Sequence, residues 1–498
     1  MKRIETLTRR DAVKALGLAA LSAPFLGHAT ARAATSSALA DPVFYSSTRQ
    51  LASAIARGDL SSVEIVGACL ERIEQVNPAL NAVVQLDRAG ALARAREADA
   101  ARARGESWGP LHGVPMTMKD SFDTAGMVST WGTKGRADFV PERDATVVRR
   151  LREAGAILMG KTNTPEFTLD YDTRNLVYGQ TYNPWDTTRS PGGSSGGAGA
   201  IIAAGGAPFD IGTDYGGSIR LPAHFNGICG IKPSAGRVPR TGHAVPFGGF
   251  LDDFQVVGPL ARTVDDLALL LPLIMGPDGI DTGVRPLAWG APEAVKLPGL
   301  KGAFYTDNGV ATPTAETMAA VRAAAEALAG AGVAMAEERP TGLEQTLEVA
   351  LPIYLWDGGA AVRRMLREAG TTEPSLEMAT EREPFSAEAV DAAVTRLAAW
   401  RSALLGFVTE HPVIVGPATT SPAFPAGFET TDEALAKFSY LFAYNVLGWP
   451  VAVVPAGRSP EGLPIGVQLI AGPGREDIAL AAAAVVERAL GGFREPPL

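Results

Sequence analysis

Residues 191–223 read PGGSSGGAGAIIAAGGAPFDIGTDYGGSIRLPA. Glycine and serine at this density suit a flexible linker, a phosphate cradle or the backbone of a catalytic loop. A linker would be followed by more linker. Here GGSSGG (192–197) runs into an apolar, structured stretch, and a second glycine–serine turn, Tyr215-Gly216-Gly217-Ser218, places Ser218 24 residues after Ser194. Glycines beside both serines let the backbone approach another group closely. Consecutive backbone N–H groups in such a turn can point at a developing oxyanion, which is what an acyl-transfer site requires.

Outward from this centre the pattern alternates between helix and strand. In GVPMTMKD (113–120), Val114, Met116 and Met118 share one face and Thr117 and Lys119 the other, so a strand is expected that delivers Lys119 at its end. Residues 144–154 predict a helix closed by Gly155, followed by a short strand, AILMG (156–160). Further on, PVAVVP (450–455) and PIGVQLI (464–470) read as strands, and 476–490 as a last helix. On the N-terminal side, Ser61-Ser62-Val63-Glu64 forms a capping box before a helix that Asn77-Pro78 is expected to stop, and a second helix is expected at 88–104. Residues 286–400 are alanine-rich and helical, with no legible chemical motif. Such alternation argues for α/β architecture, with helices on both faces of a mixed sheet.

Gly155-Ala-Ile-Leu-Met-Gly160-Lys161-Thr162 matches the phosphate-binding pattern G-x-x-x-x-G-K-[ST] letter for letter. That loop requires a strand before the first glycine and a helix after the lysine. Here a helical stretch precedes it, apolar residues fill the middle, and Pro165 holds Thr164 to extended conformations. The P-loop nucleotide-binding reading is therefore set aside, and Gly155 is read as a helix C-cap.

The 498-residue chain carries a net charge of −9 with no basic block, which disfavours nucleic acid as a partner. No apolar run is long enough to span a membrane, so no stable membrane anchor is expected. Thr8-Arg9-Arg10-Asp11-Ala12-Val13-Lys14, the weakly apolar run Ala15 to Leu26 and Ala31-Arg32-Ala33 together read as a twin-arginine secretory signal over 1–33. Its removal takes away six basic and two acidic residues and leaves 39 against 52, a net charge of −13. A periplasmic or secreted location and passage through the twin-arginine export machinery are expected, with a loose segment over 34–46. Cys69 and Cys229, the only cysteines, are expected to be buried thiols, though an oxidising compartment would permit them to pair. No Cys/His cluster has metal-ligand spacing, and no motif calls for a cofactor.

None of the five histidines stands at a recognisable triad spacing and G-x-S-x-G is absent, so the base for a serine nucleophile must be something else. Lys119 is a candidate. At this point GGSSGG, GTDYGGSIRLPA and GICGIKPSAGRVP, with GVPMTMKD upstream, resemble the amidase signature family of serine hydrolases. GKTNTPEF, NPWDTTRSPGG and NVLGWPVAVVPAG…EGLPIGVQLI extend the resemblance over about residues 47–490.

The resemblance implies a single α/β/α domain around a large mixed sheet, with the signature core at about 110–265 and a variable helical region at about 286–400. It implies a Ser–cis-Ser–Lys triad: Ser218 as nucleophile, Ser194 bridging it to Lys119, and a cis peptide bond before Ser194. The backbone N–H groups of Tyr215, Gly216, Gly217 and Ser218 would form the oxyanion hole. Ser195 is expected as a hydrogen-bonding neighbour, Asp214 and Arg220 as a structural pair, and His224 and His243 as packing or surface residues. Tyr215 departs from the smaller or β-branched residue that family members often carry there, and its ring would narrow or line the acyl pocket. Burial is expected to keep Lys119 neutral and able to accept a proton.

The expected activity is hydrolysis of a small-molecule amide. A glutaminase-type subunit of a tRNA-dependent amidotransferase is the alternative within the family, opposed by the export signal. A non-catalytic periplasmic binding protein is the alternative outside it, opposed by the intact Ser218, Ser194 and Lys119. The substrate is not legible, and a homodimer is left open.

Overall fold

The computed structural model describes residues 43–246, 254–376 and 382–498. The signal sequence at 1–33, and all but the last four residues of the segment at 34–46, lie outside the described residues.

The strands in chain order are β1 (Val83–Leu86), β2 (Pro115–Lys119), β3 (Ile157–Thr162), the short pair β4 (Arg174–Asn175) and β5 (Gly179–Gln180), β6 (Phe209–Asp214), β7 (Cys229–Lys232), β8 (Val256–Ala261), β9 (Lys301–Phe304), β10 (Ala334–Glu337), β11 (Val413–Pro417), β12 (Val451–Arg458) and β13 (Pro464–Ile470). Eight of them form one mixed sheet in the order β10-β9-β11-β13-β12-β7-β8-β6. β9 runs parallel to both β10 and β11, and every other neighbouring pair is antiparallel. A smaller sheet, β1-β3-β2, carries the strand that ends at Lys119.

The period-2 pattern of the strands sorts the two faces of the large sheet. Ala452 and Val454 pack on one side with residues of the helices Val264–Ile274, Ala315–Gly330 and Glu476–Leu490. Val451 and Val453 point the opposite way. Val451 meets the helices Asp432–Val446 and Ala387–Glu410, and Val453 meets Gly196–Ala203. The sheet is thus flanked by helices on both faces, as an α/β chain of this length requires.

Both strands expected near the C-terminus form, and the last helix spans Glu476–Leu490. Ser61 and Glu64 close their capping box on each other. Two expectations need correcting. The helix opened by Ser61 does not stop at Asn77-Pro78 but runs Ser62–Leu80, ending at Asn81 in the left-handed conformation. Pro78 is exposed, so water can satisfy the Glu74 carbonyl that loses its donor. Asn77 then ties the exit down, accepting from the amides of Ala82 and Val83.

The region 286–400 is not wholly helical: it supplies β9 and β10, one edge of the large sheet. These strands have four residues each, too few for alternation to stand out against the surrounding alanine.

The P-loop match resolves as packing. Gly155 adopts φ +96° after the helix Thr146–Glu153. Gly160, Lys161 and Thr162 lie inside β3, where Lys161 is buried and donates to the Phe122 carbonyl at 2.6 Å. Cys69 and Cys229 are free, buried thiols in separate apolar clusters, and burial pushes the Cys69 thiol up to about 12.

Candidate active site

The glycine-rich stretch is not a linker. Gly196–Ala203 is a helix with every residue buried, although Gly-Gly-Ala-Gly is a poor helix former. Burial of Ile201 and Ile202, worth about 1.5–3 kcal/mol each, offsets that weakness. The glycines are there for contact: a Cβ on Gly197 would stand 2.4 Å from the backbone nitrogen of Asn163. This close packing sets Ser194 and Ser195 at the helix entrance, and the Gly193–Ser194 peptide bond is cis.

β2 and β6 end side by side at this entrance. Lys119, the last residue of β2, donates its backbone N–H to Asp210 of β6 at 2.9 Å. Its Nζ is fully buried and lies 2.7 Å from Ser194 Oγ, 2.9 Å from Ser195 Oγ and 2.9 Å from Thr213 Oγ1. The strand's second face is polar but closed to water, so the amine meets a ring of hydroxyls. Burial holds Lys119 well below the usual lysine range, although Asp210 and Asp214 pull the other way. Burial likewise raises the Asp210 carboxyl to about 6, despite hydrogen bonds from Thr117 and Thr162.

Ser218 lies beside this cluster. Its carbonyl accepts from the Ser195 amide at 3.3 Å, and the residue lines a cavity of about 240 Å³. Among the described residues no hydrogen bond links Ser218 Oγ to Ser194 Oγ: the structure brings Ser194, Ser195 and Lys119 into direct contact and sets Ser218 next to them.

The turn before Ser218 is arranged by Asp214. Its carboxylate accepts from the amides of Gly217 and Ile219 and from the Arg220 guanidinium at 3.0 Å. Burial alone would raise this carboxyl, but Arg220, Lys232 and Asn445 together outweigh it and take it down to about 2. Asp214 and Arg220 are both fully buried and form an ion pair, one that typically costs about 3–5 kcal/mol to break by removing a single partner.

The engagement of Gly217 changes the expected oxyanion set. Its N–H is already given to Asp214 at 2.9 Å and is not free for a substrate oxygen. The amides of Tyr215, Gly216 and Ser218 make no hydrogen bond among the described residues. Gly217 is needed for its backbone, since φ is +127° and a Cβ would stand 2.4 Å from Leu441 Cδ1.

Tyr171, Tyr215, Tyr354, Leu351, Leu435 and Phe442 wall the cavity, with Arg174 and Arg382 also on its lining. Tyr215 does line it, its ring edge-on to Tyr354 with centroids 4.7 Å apart. A second cavity of about 180 Å³ shares Tyr215, Tyr354 and Arg382 with the first.

His224 and His243 are packing residues, both buried. Burial takes them down to about 4 and about 3, and His224 is bonded through both ring nitrogens. Among the described residues no cluster of His, Cys, Asp and Glu could hold a metal ion, and no helix is long and apolar enough to cross a membrane.

Three contacts escaped the sequence. Thr213 was visible only as the residue before Asp214, and Asp210 as an acid in an apolar strand. Tyr354, at the end of the helix Thr346–Tyr354, carries no sequence motif that marks it.

Comparison with known proteins agrees with this geometry. The amidase family model matches residues 64–480. The A subunit of the glutamyl-tRNA(Gln) amidotransferase of Moorella thermoacetica is 37% identical, over 91% of this chain and 99% of that one. An indoleacetamide hydrolase of Bradyrhizobium diazoefficiens is also 37% identical, over 90% and 87%. Among solved structures, a 6-aminohexanoate cyclic dimer hydrolase superposes with a TM-score of 0.81 at 29% identity, covering 91% of this chain and 99% of that one. The peptide amidase of Stenotrophomonas maltophilia gives 0.77 at 27%, over 91% and 98%. With its motifs, its mixed sheet and this match in agreement, the chain belongs to the amidase signature family, whose enzymes act on amide C–N bonds.

Proposed function

We propose that the chain hydrolyses a carboxylic amide through an acyl-enzyme on Ser218, with Ser194 as the bridging hydroxyl and Lys119 as the base. The observation that carries this reading is a fully buried amine held against Ser194, Ser195 and Thr213, beside a serine on a cavity wall. Three hydroxyls can satisfy either the charged or the neutral amine, but only the neutral form, which burial favours, can accept a proton.

In the first half-reaction Ser218 Oγ bonds to the substrate carbonyl carbon. Its proton passes to Ser194, whose own proton passes to Lys119. The Ser218–Ser194 contact required is one of those that tighten when substrate binds. The negative oxygen is held by the free amides of Tyr215, Gly216 and Ser218, in a site that needs no reorganisation. As the C–N bond breaks, the proton returns along the same path to the leaving nitrogen. Water then attacks the ester carbonyl, giving up a proton to Lys119 by the same relay, and Ser218 recovers one as the acid leaves.

The walls bear on the substrate. Tyr171, Tyr215, Tyr354, Phe442 and five leucines make up most of the cavity wall that Ser218 shares, with Asp170, Arg174 and Arg382 its charged members, so a mainly apolar acyl group that fits about 240 Å³ suits it. The likeness to the amidotransferase relative favours a second reading, release of ammonia from glutamine within a larger assembly. Turnover of phenylacetamide, hexanamide and glutamine separates the two. The expected order puts the apolar amides at least about tenfold ahead in kcat/KM, since each buried methylene is worth about 0.8 kcal/mol. Glutamine as the best of the three would favour the second reading.

The mature enzyme is proposed to act outside the cytoplasm, on the strength of Arg9-Arg10 and the apolar run behind them. Replacing both arginines by lysine is expected to leave the uncleaved precursor inside the cell, read by fractionation; unchanged export would refute the twin-arginine route.

A further inference from the structure

We propose that Tyr354 is a positioning residue that aims the free Gly216 amide of the Tyr215–Ser218 turn at the substrate oxygen, with Tyr171 steadying the neighbouring peptide unit. The inference rests on the acyl-transfer reading above.

A trans peptide unit is planar, with its N–H directed away from its C=O. Holding the carbonyl therefore fixes where the amide points. Every peptide unit of this turn is held in that way. The Asp214 carbonyl accepts from Asn445 Nδ2 at 3.2 Å, which sets the Tyr215 N–H. The Tyr215 carbonyl accepts from the Tyr354 hydroxyl at 2.5 Å, which sets the Gly216 N–H. The Gly216 carbonyl accepts from the Tyr171 hydroxyl at 3.0 Å, while the Gly217 N–H of the same unit goes to Asp214. The Gly217 carbonyl accepts from the Leu221 amide at 2.7 Å, which sets the Ser218 N–H.

Any buried tyrosine hydroxyl needs a partner, so a single such bond would say little. Here the carbonyls are all engaged, and the amides left over are those beside the cavity. Both rings are also fixed. Tyr171 stacks on Phe438 at 3.9 Å, and Tyr354 lies between Phe254 and the edge of Phe442. The same bonds use up the hydroxyls of two wall tyrosines, which leaves ring carbon to face the acyl group.

The two tyrosines are not equivalent. The peptide unit that carries the Gly216 N–H is held at its carbonyl by Tyr354, so loss of that hydroxyl frees an oxyanion donor to swing. The unit held by Tyr171 is still tied through Gly217 to Asp214, so its loss should matter less.

The test is steady-state kinetics on the best amide found, with affinity for an aldehyde analogue of that substrate, which becomes a tetrahedral oxyanion on Ser218. Tyr354→Phe is expected to lower kcat about 10–100-fold, less than outright loss of a donor, with KM within about twofold. Aldehyde affinity should fall in parallel while affinity for the product acid holds. Tyr171→Phe should fall less than Tyr354→Phe. An unchanged kcat in folded Tyr354→Phe, or equal losses of aldehyde and product affinity, would overturn the positioning role. Ser218→Ala is run alongside: an inactive Ser218→Ala with an unaffected Tyr354→Phe sinks this inference alone, whereas an active Ser218→Ala sinks the reading beneath it.

Discussion

Ser218→Ala is expected to lower kcat/KM for amide hydrolysis by roughly 10⁴-fold or more, the scale seen when a serine nucleophile is removed and only binding and the oxyanion site remain. That corresponds to at least about 5 kcal/mol of transition-state stabilisation at about 1.4 kcal/mol per decade. The loss should be in kcat. Ser218 Oγ makes no hydrogen bond among the described residues, so its removal opens no buried polar group and the fold should keep its stability. Exposure to a fluorophosphonate, read by intact mass, supplies the second readout: one adduct on the parent chain and none on Ser218→Ala. An adduct that survives the substitution would place the nucleophile elsewhere. Full activity in the variant would end the acyl-enzyme reading.

The second large effect is at Lys119. Lys119→Met keeps the length of the side chain but removes the amine that, among the described residues, is hydrogen-bonded to Ser194 Oγ and can take its proton, so a loss of about 10³–10⁴-fold in kcat is expected. In the parent enzyme kcat/KM should fall as pH drops through the Lys119 pKa, which burial holds well below 10.5, because protonation removes the base. Stability moves in the same direction. Between the depressed folded value and the ordinary unfolded value, the unfolded chain binds a proton that the folded chain does not. Stability therefore rises with pH across that window. Lys161 and Lys232 are also buried and lowered, and contribute with the same sign. Subtracting the Tm–pH curve of Lys119→Met from that of the parent isolates the Lys119 share. A difference curve that is flat, together with a pH–rate profile unchanged by the substitution, would show that Lys119 is not the titrating base.

Much of the site could be read because its chemistry is local. Ser194 and Ser218 each sit among glycines, and Lys119 ends a strand of alternating residues, so each position carries its own sequence mark. Thr213 carries none: it becomes a contact of Lys119 only because β6 runs beside the end of β2, where the Asp210 carboxylate accepts from the Lys119 amide. The oxyanion set shows the same limit at finer grain. Four amides follow one another along the turn, and nothing in the letters says that Asp214 will consume that of Gly217. Tyr354 stands furthest from legibility, since its hydroxyl reaches a carbonyl 139 positions earlier in the chain.

By itself, then, the order of residues determined most of the elements and marked the groups proposed to react. Capping boxes, period-2 runs and glycine-flanked serines are short-range patterns, and short-range sterics and hydrogen bonding read them directly. Tertiary structure alone decided which carbonyls are held, which amides stay free, and that the amine of Lys119 faces hydroxyls out of reach of water. Those outcomes depend on side chains far apart in sequence competing for the same few donors and acceptors inside a closed interior, where each buried polar group must find its partner.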